Sequence, residues 1–291
     1  MSSEHSKFFI ALCKKLHSSE KKFQQRRCAR LSKLSKISGR TKVIAAIAIF
    51  SALYSVIRQI PMGPMIGLSG QFSVSDSLAP LYGIILGPYT GGISIIIGTF
   101  LAMAMGKAPV FMGLDFLPAL VNAVAIGFLV RRKWEPVVLL NAVLLAVFIL
   151  NPLTSFFINI PIGNTTVAFP FLWMHFIAYA VLLSPLGHKA GEWVTTLKPS
   201  KLTMGIAILA FVGTMMQHLM GNILSEVVRS QILGVTLPEA FPTVIWPSAF
   251  IVYPWERLTL IIITVAVGVP LVKALRKSLF PFEKQPPAKV T

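Results

Sequence analysis

The 291-residue chain is 55% hydrophobic and only 13% charged, and its mean hydropathy is strongly positive. A soluble globular domain of this length does not carry that balance, so the composition excludes one and points to a polytopic membrane protein. A formal net charge of +17 would suit nucleic acid, but the basic residues cluster at helix ends and in one tail; membrane orientation explains them, and nucleic acid is set aside as a partner.

Residues 1–42 hold twelve Lys or Arg against two Glu, with Phe8, Leu12 and Leu16 at helical spacing. They read as a basic, amphipathic cytoplasmic tail beside anionic lipid headgroups. No apolar run leads to a small-residue cleavage site, so the tail is not a cleavable signal. Cys13 and Cys28, the two cysteines, fit a reducing cytosol, and with His5 and His17 they lack zinc spacing.

Eight hydrophobic segments follow, at about 43–60, 76–87, 89–105, 115–130, 136–157, 167–186, 202–227 and 249–275. The expected fold is an all-α helical membrane bundle over 43–276, with a short cytoplasmic tail at 277–291. In the first span Ala48 and Ala52 share a face, the small-xxx-small device of helix packing in lipid. Pro61 to Ser75 is an uncharged loop rich in Gly, Pro and Met, suited either to dip into the membrane surface or to close over a site.

From Leu78 to Met105 the chain is uncharged, too long for one span of roughly 20 residues and too short for two. Gly87-Pro88 divides it, because proline disfavours helix in the residue before it and suits a helix start, so a short helix ends near Gly87 and another begins at Pro88. Interrupted segments of this kind are tolerated in lipid where protein buries them or where they line a cavity. Ser94, Gly98, Ala102 and Gly106, and then Ala119, Ala123 and Gly127, form small-residue stripes that call for close backbone packing. The fourth span stops at Arg131-Arg132-Lys133, the fifth carries Asn151-Pro152, and a polar turn at 159–166 leads to the sixth.

Charge orients these spans. With the tail inside, 131–136, 187–201 and the C-terminus are inside and basic, so eight spans with both termini cytoplasmic obey the positive-inside rule. Arg58, Asp76, Lys107, Asp115, Glu226, Arg229, Glu256 and Arg257 then fall near outer helix ends with Trp246, Tyr253 and Trp255. They either converge on a pocket or snorkel to the interface beside an aromatic belt. Gln217, His218 and Asn222 bond to neighbouring helices or meet a ligand; His175, alone in an apolar run, reads as packed or interfacial. Asn164-Thr165-Thr166 fits a glycosylation acceptor on the predicted outside. Phosphate loops, zinc-protease helices, nucleophile elbows and paired-Cys metal motifs are absent, so neither an enzyme nor a cofactor or metal site is expected.

A resemblance emerges from these residues. The basic N-terminus, Ala48-x-x-x-Ala52, the apolar loop, FSVSDSLAPLYGIILGPYTGG and the helix ending in Arg-Arg-Lys together resemble the substrate-binding S components of energy-coupling factor (ECF) transporters. The likeness covers about residues 42–133, is weaker in GTMMQHLMGN and PWERLTLIIITVAVGVPLVKALRK, and is carried most by the LGP-x-x-G pattern at Leu86 to Gly91. The resemblance implies a subunit that captures a vitamin or similar micronutrient at the outer face of the cell membrane. It implies as partners a coupling membrane subunit and two cytoplasmic ATPases, with Ala48 and Ala52 meeting the coupling subunit. The 61–75 loop would lie over the substrate, with Met62, Met65, Gln71 and Phe72 as lid residues; Asp76, Asn122, Gln217, His218, Asn222 and Glu256 become pocket candidates by position and polarity. Such subunits usually have six spans, so spans five and six read as an insertion into a six-helix core.

Two other classes compete. A self-sufficient secondary transporter or channel would place ionisable residues at mid-membrane. A membrane enzyme or assembly protein would cluster Asp, Glu or His on one aqueous cleft.

Overall fold

A computed structural model describes residues 41–65, 70–196, 198–232, 234 and 241–278. Most of the basic N-terminal tail, part of the 61–75 loop, residues 279–291 and the Arg229 side chain lie outside the described residues. The chain falls into two compact units, Met1–Ala48 and Ile49–Thr291. In the first, Ala48 is exposed; the geometry below belongs to the second.

The structure is mostly helical. Helix α1 (Thr41–Ile57) leads into a two-stranded antiparallel hairpin, β1 (Pro61–Pro64) and β2 (Gln71–Ser73). A 3-10 turn (Val74–Leu78), capped by Ser73 and Asp76 in a reciprocal capping box, then feeds α2 (Ala79–Leu86). Gly87 takes φ 81 and α3 (Pro88–Ala104) starts at the next residue, so the break falls where the Gly-Pro dipeptide sits. Helices α4 (Leu117–Val130) and α5 (Glu135–Leu150) follow.

Here the expectation of an all-helical chain needs refining. The fifth helix stops at Leu150 rather than Phe157, and the sixth begins at Trp173 rather than Val167. Between them β3 (Phe157–Ile162) and β4 (Thr165–Pro170) pair antiparallel over six registered positions. Phe, Ile, Val and Thr dominate these strands, and Gly163, with φ 61, takes the first position of a two-residue turn, where a primed turn wants glycine. Asn164, beside it, is exposed at the tip. The basic 187–201 stretch also holds a helix: α6 (Trp173–Leu183) passes through a Ser184 cap into α7 (Pro185–Thr195). Helix α8 (Pro199–Leu224) widens into π-type winding over Ser225–Ile232, a second wide turn covers Phe241–Ile245, and α9 (Trp246–Ser278) closes the described chain.

Helix α8 is the axis of this unit, packing against α4, α5, α6, α7 and α9. Close approach is possible where side chains vanish. A Cβ on Gly83 of α2 would run into the Ala123 carbonyl of α4, and one on Gly127 of α4 would strike the Pro88 backbone of α3. Helices α2, α3 and α4 are therefore in backbone contact, as the small-residue stripes require.

Outer faces are apolar. Ile49, Leu53 and Val56 on α1, Ile93 and Ile97 on α3, Leu139, Val143 and Val147 on α5, and Ile251, Leu258 and Ile262 on α9 are all exposed at helical spacing. The interior holds polar groups instead: Asn122, Thr214, Glu226 and Arg257 are almost wholly buried. Two helical stretches, Pro199–Val228 and Thr243–Leu275, are long and apolar enough to cross a membrane; the other apolar helices are shorter.

Candidate functional site

At the end of the bundle where α2 starts, α3 ends and α8 gives way to α9, the walls part around a cavity. The space between its walls is about 1090 Å³, counting the part open to the outside. The Gly87–Pro88 break lies at the opposite end, beneath the Arg131 guanidinium.

Asp76 is set at the mouth by the start of α2. Its Oδ2 accepts the Ser73 N–H at 3.1 Å, and its Oδ1 accepts from the Gln217 amide at 3.0 Å. The Gln217 carbonyl oxygen in turn accepts from Asn122 Nδ2 at 2.7 Å, so α2, α4 and α8 are tied by one chain of side chains. Asn122 itself does not line the cavity; it stands behind Gln217, fully buried, with its Oδ1 unbonded.

At the next position of α8, the His218 ring is stacked between two neighbours. Its Nδ1 meets Nε2 of His175 at 3.2 Å, one nitrogen donating and the other accepting, and its ring lies 4.9 Å from Tyr253 at 21°. His175 is buried behind this stack, the packed reading of that residue. Tyr253 donates to the Phe171 carbonyl at 3.1 Å and Trp246 to the Leu153 carbonyl at 2.8 Å, so both aromatic walls are fixed by their polar ends. Asn222, next on this face of α8, is 9% exposed and lines the cavity, and its Nδ2 has no hydrogen-bond partner.

Glu256 and Arg257 form a close pair on α9, with Arg257 Nη1 also donating to the Thr214 carbonyl at 3.3 Å. The guanidinium lies 5.6 Å from the Phe72 ring, a residue of β2 that covers the cavity with Met65 and Gln71. Met62, on β1, does not line it.

Thus Asp76, Gln217, His218, Asn222 and Glu256 line one space under Met65, Gln71 and Phe72, whereas Asn122 and Met62 stand outside it. Ala52 is exposed on the outer face of α1. Several wall residues carried no separate signal in the sequence. Met103 reaches the cavity from the last turn of α3, Val110 and Phe111 from the connection after it, and Ser225 from just past the end of α8. Asp115 shapes that connection by accepting the Val110 and Phe111 N–H groups at 2.8 and 3.1 Å. Arg58 and Lys107, charged residues at helix ends in otherwise apolar sequence, were visible as outer-end groups and both line the space.

Among the described residues no group of three His, Cys, Asp or Glu is arranged to hold a metal ion. The walls can surround a small molecule with both hydrogen-bonding groups and aromatic surface.

No family model matches the chain, and no solved structure matches it. It is similar to an uncharacterized protein of Methanocaldococcus jannaschii, 26% identical over 164 residues, which cover 56% of this chain and 51% of the relative. The chain thus spans about half the length of the curated relative it matches.

Proposed function

We propose that this protein is a multi-pass membrane subunit that captures a vitamin or similar small micronutrient at the outer face of the cell membrane and serves as the substrate-specific component of an ATP-driven, ECF-type importer. The observation that carries the reading is the cavity itself: a space at one end of a helical bundle, polar on its α8 wall and bordered by residues of the β1–β2 hairpin. The exposed apolar ridges on α1, α3, α5 and α9 support a lipid setting, since a water-facing surface would not present them in rows. Charge supports the orientation. Arg131, Arg132, Lys133, Lys189, Lys198, Lys201 and Lys273 sit towards the end opposite the cavity, so the positive-inside rule turns the cavity outward and both termini inward.

On this reading Ala48 and Ala52 are docking points for the coupling subunit, which links the protein to two cytoplasmic ATPases. Purification of the full chain followed by mass spectrometry of the denatured extract tests the proposal. One small molecule retained in about equimolar amount supports capture; ion-driven uptake by the lone protein in liposomes removes the subunit role. The stand-alone transporter has one feature in its favour, the fully buried Glu226, whose carboxylate takes a hydrogen bond from Thr154 and, among the described residues, pairs with no cation. The same liposome assay separates the two.

A further inference from the structure

The cavity wall carries three cations, Arg58, Lys107 and Arg257, and three carboxylates, Asp76, Asp115 and Glu256. In formal charge the two sets balance. In hydrogen bonding they do not.

Every carboxylate is already engaged by the protein. Asp76 accepts from Ser73 and Gln217, Asp115 accepts two main-chain N–H groups, and Glu256 is held by Arg257. The donors are left over. Among the described residues Lys107 makes no ion pair and no side-chain hydrogen bond. Arg58 makes one long hydrogen bond, Nη2 to the Asp115 main-chain carbonyl at 3.4 Å, its guanidinium stands 6.0 Å from the centre of the Tyr54 ring, and its buried Nε has no hydrogen-bond partner among the described residues. Asn222 adds an amide N–H that is likewise unbonded and nine-tenths buried. Lys and Arg have no acceptor atoms, so the capacity that the cavity offers is donor capacity, two parts of it charged. Donors left without partners in a partly dry site are costly, and a negatively charged acceptor relieves that cost more than a neutral one.

The rest of the wall limits what carries that acceptor. Phe72, Phe111, Trp246 and Tyr253 line the space, and aromatic walls favour a flat ring or other apolar body.

We propose, on the basis of the capture reading above, that the cavity takes an organic anion: a molecule with a planar or apolar body against these aromatic residues and a carboxylate or phosphate group received by Lys107, Arg58 and Asn222. The shared chemistry is a compact oxyanion attached to a hydrophobic frame.

Three probes of one shape test this on the full chain in detergent: benzoate, phenyl phosphate and neutral benzyl alcohol, followed by quenching of tryptophan fluorescence. At least one anion is expected to bind about tenfold or more tightly than the alcohol, the worth of one charge-assisted bond, and the better anion assigns carboxylate or phosphate. In Lys107→Gln the preference disappears while the melting temperature of the free protein holds, because Lys107 ties nothing together. Asn222→Asp, which replaces the unbonded amide donor by a carboxylate on the same cavity wall, lowers anion affinity and spares the alcohol, and it serves if Lys107→Gln does not fold. Equal binding of all three probes overturns the anion site, and so does a preference that survives both substitutions. If no probe binds, the charge of the copurified molecule decides: an anion supports the site, and a neutral molecule or cation overturns it while leaving capture intact. Nothing bound and nothing copurified overturns both.

Discussion

Asp76 and Asn122 never touch, yet one side chain holds both: Gln217 donates to Asp76 across 3.0 Å and accepts from Asn122 across 2.7 Å. Removing that bridge strips a partner from each. Gln217→Leu is expected to lower stability by about 1–3 kcal/mol, the penalty for unsatisfied buried polar groups, and, on the capture reading, to reduce retention of the bound molecule because Asp76 keeps only its Ser73 partner. Gln217→Glu keeps the shape but brings two carboxylates together, and should be no milder. Thermal melting of the detergent-solubilised chain, with mass spectrometry of the retained molecule, reads both effects.

Backbone contact between α2 and α4 predicts a sharp positional contrast. Gly83→Ala drives a methyl into the Ala123 carbonyl and should cost about 1–3 kcal/mol through overpacking. Gly63→Ala meets nothing within 4 Å and should stay within about 0.5 kcal/mol. Similar melting temperatures for the two variants would remove the argument that α2 and α4 pack through glycine.

Glu226 is fully buried, with Thr154 donating to its Oε1 at 2.6 Å and its Oε2 unbonded. Among the described residues it has no cation partner, and a carboxylate so placed is expensive in its charged form. Glu226→Gln keeps an acceptor for Thr154 and removes the charge, so its melting temperature should equal or exceed that of the parent. Thr154→Val should lower stability by about 1–3 kcal/mol, read as a lower melting temperature. A large loss in Glu226→Gln would mean that the carboxylate's charge is used, and would favour ion coupling.

Ala48 and Ala52 are both exposed on α1. On the importer reading, Ala52→Trp or Ala48→Trp abolishes pull-down of a coupling subunit while micronutrient retention stays intact. Loss of both together would assign the helix face to folding instead.

The parts of this fold that were legible in the sequence rest on local chemistry. Proline's missing N–H and its constraint on the preceding residue mark Gly87-Pro88, and α2 and α3 meet there. Gln217, His218 and Asn222 are legible as polar residues in an apolar helix, and three neighbouring side chains of α8 do face one cavity. What they bond to was not legible, because the two partners of Gln217 lie 95 and 141 residues before it in the chain. The β3–β4 hairpin was hidden for a different reason. Its strands are apolar and flank true helices, so hydropathy merges them with spans five and six, and only the β-branched content around Gly163-Asn164 separates them. Asp115 shows the same limit at the site: its role is to hold two main-chain N–H groups, which no side-chain pattern announces.

Helix α2 has eight residues, about 12 Å of length at 1.5 Å per residue, against a hydrocarbon layer of roughly 30 Å. On the membrane reading, insertion machinery that weighs one apolar span at a time cannot accept α2 alone. It has to admit α2 and α3 as a single hairpin, folded at Gly87–Pro88, with α4 locked against both through Gly83 and Gly127. Even then the mouth is unfinished. Asp76 enters early in synthesis and Gln217 is made 141 residues later, so the binding site matures only after most of the chain has been translated, and a truncated chain that inserts correctly would still have no mouth to close.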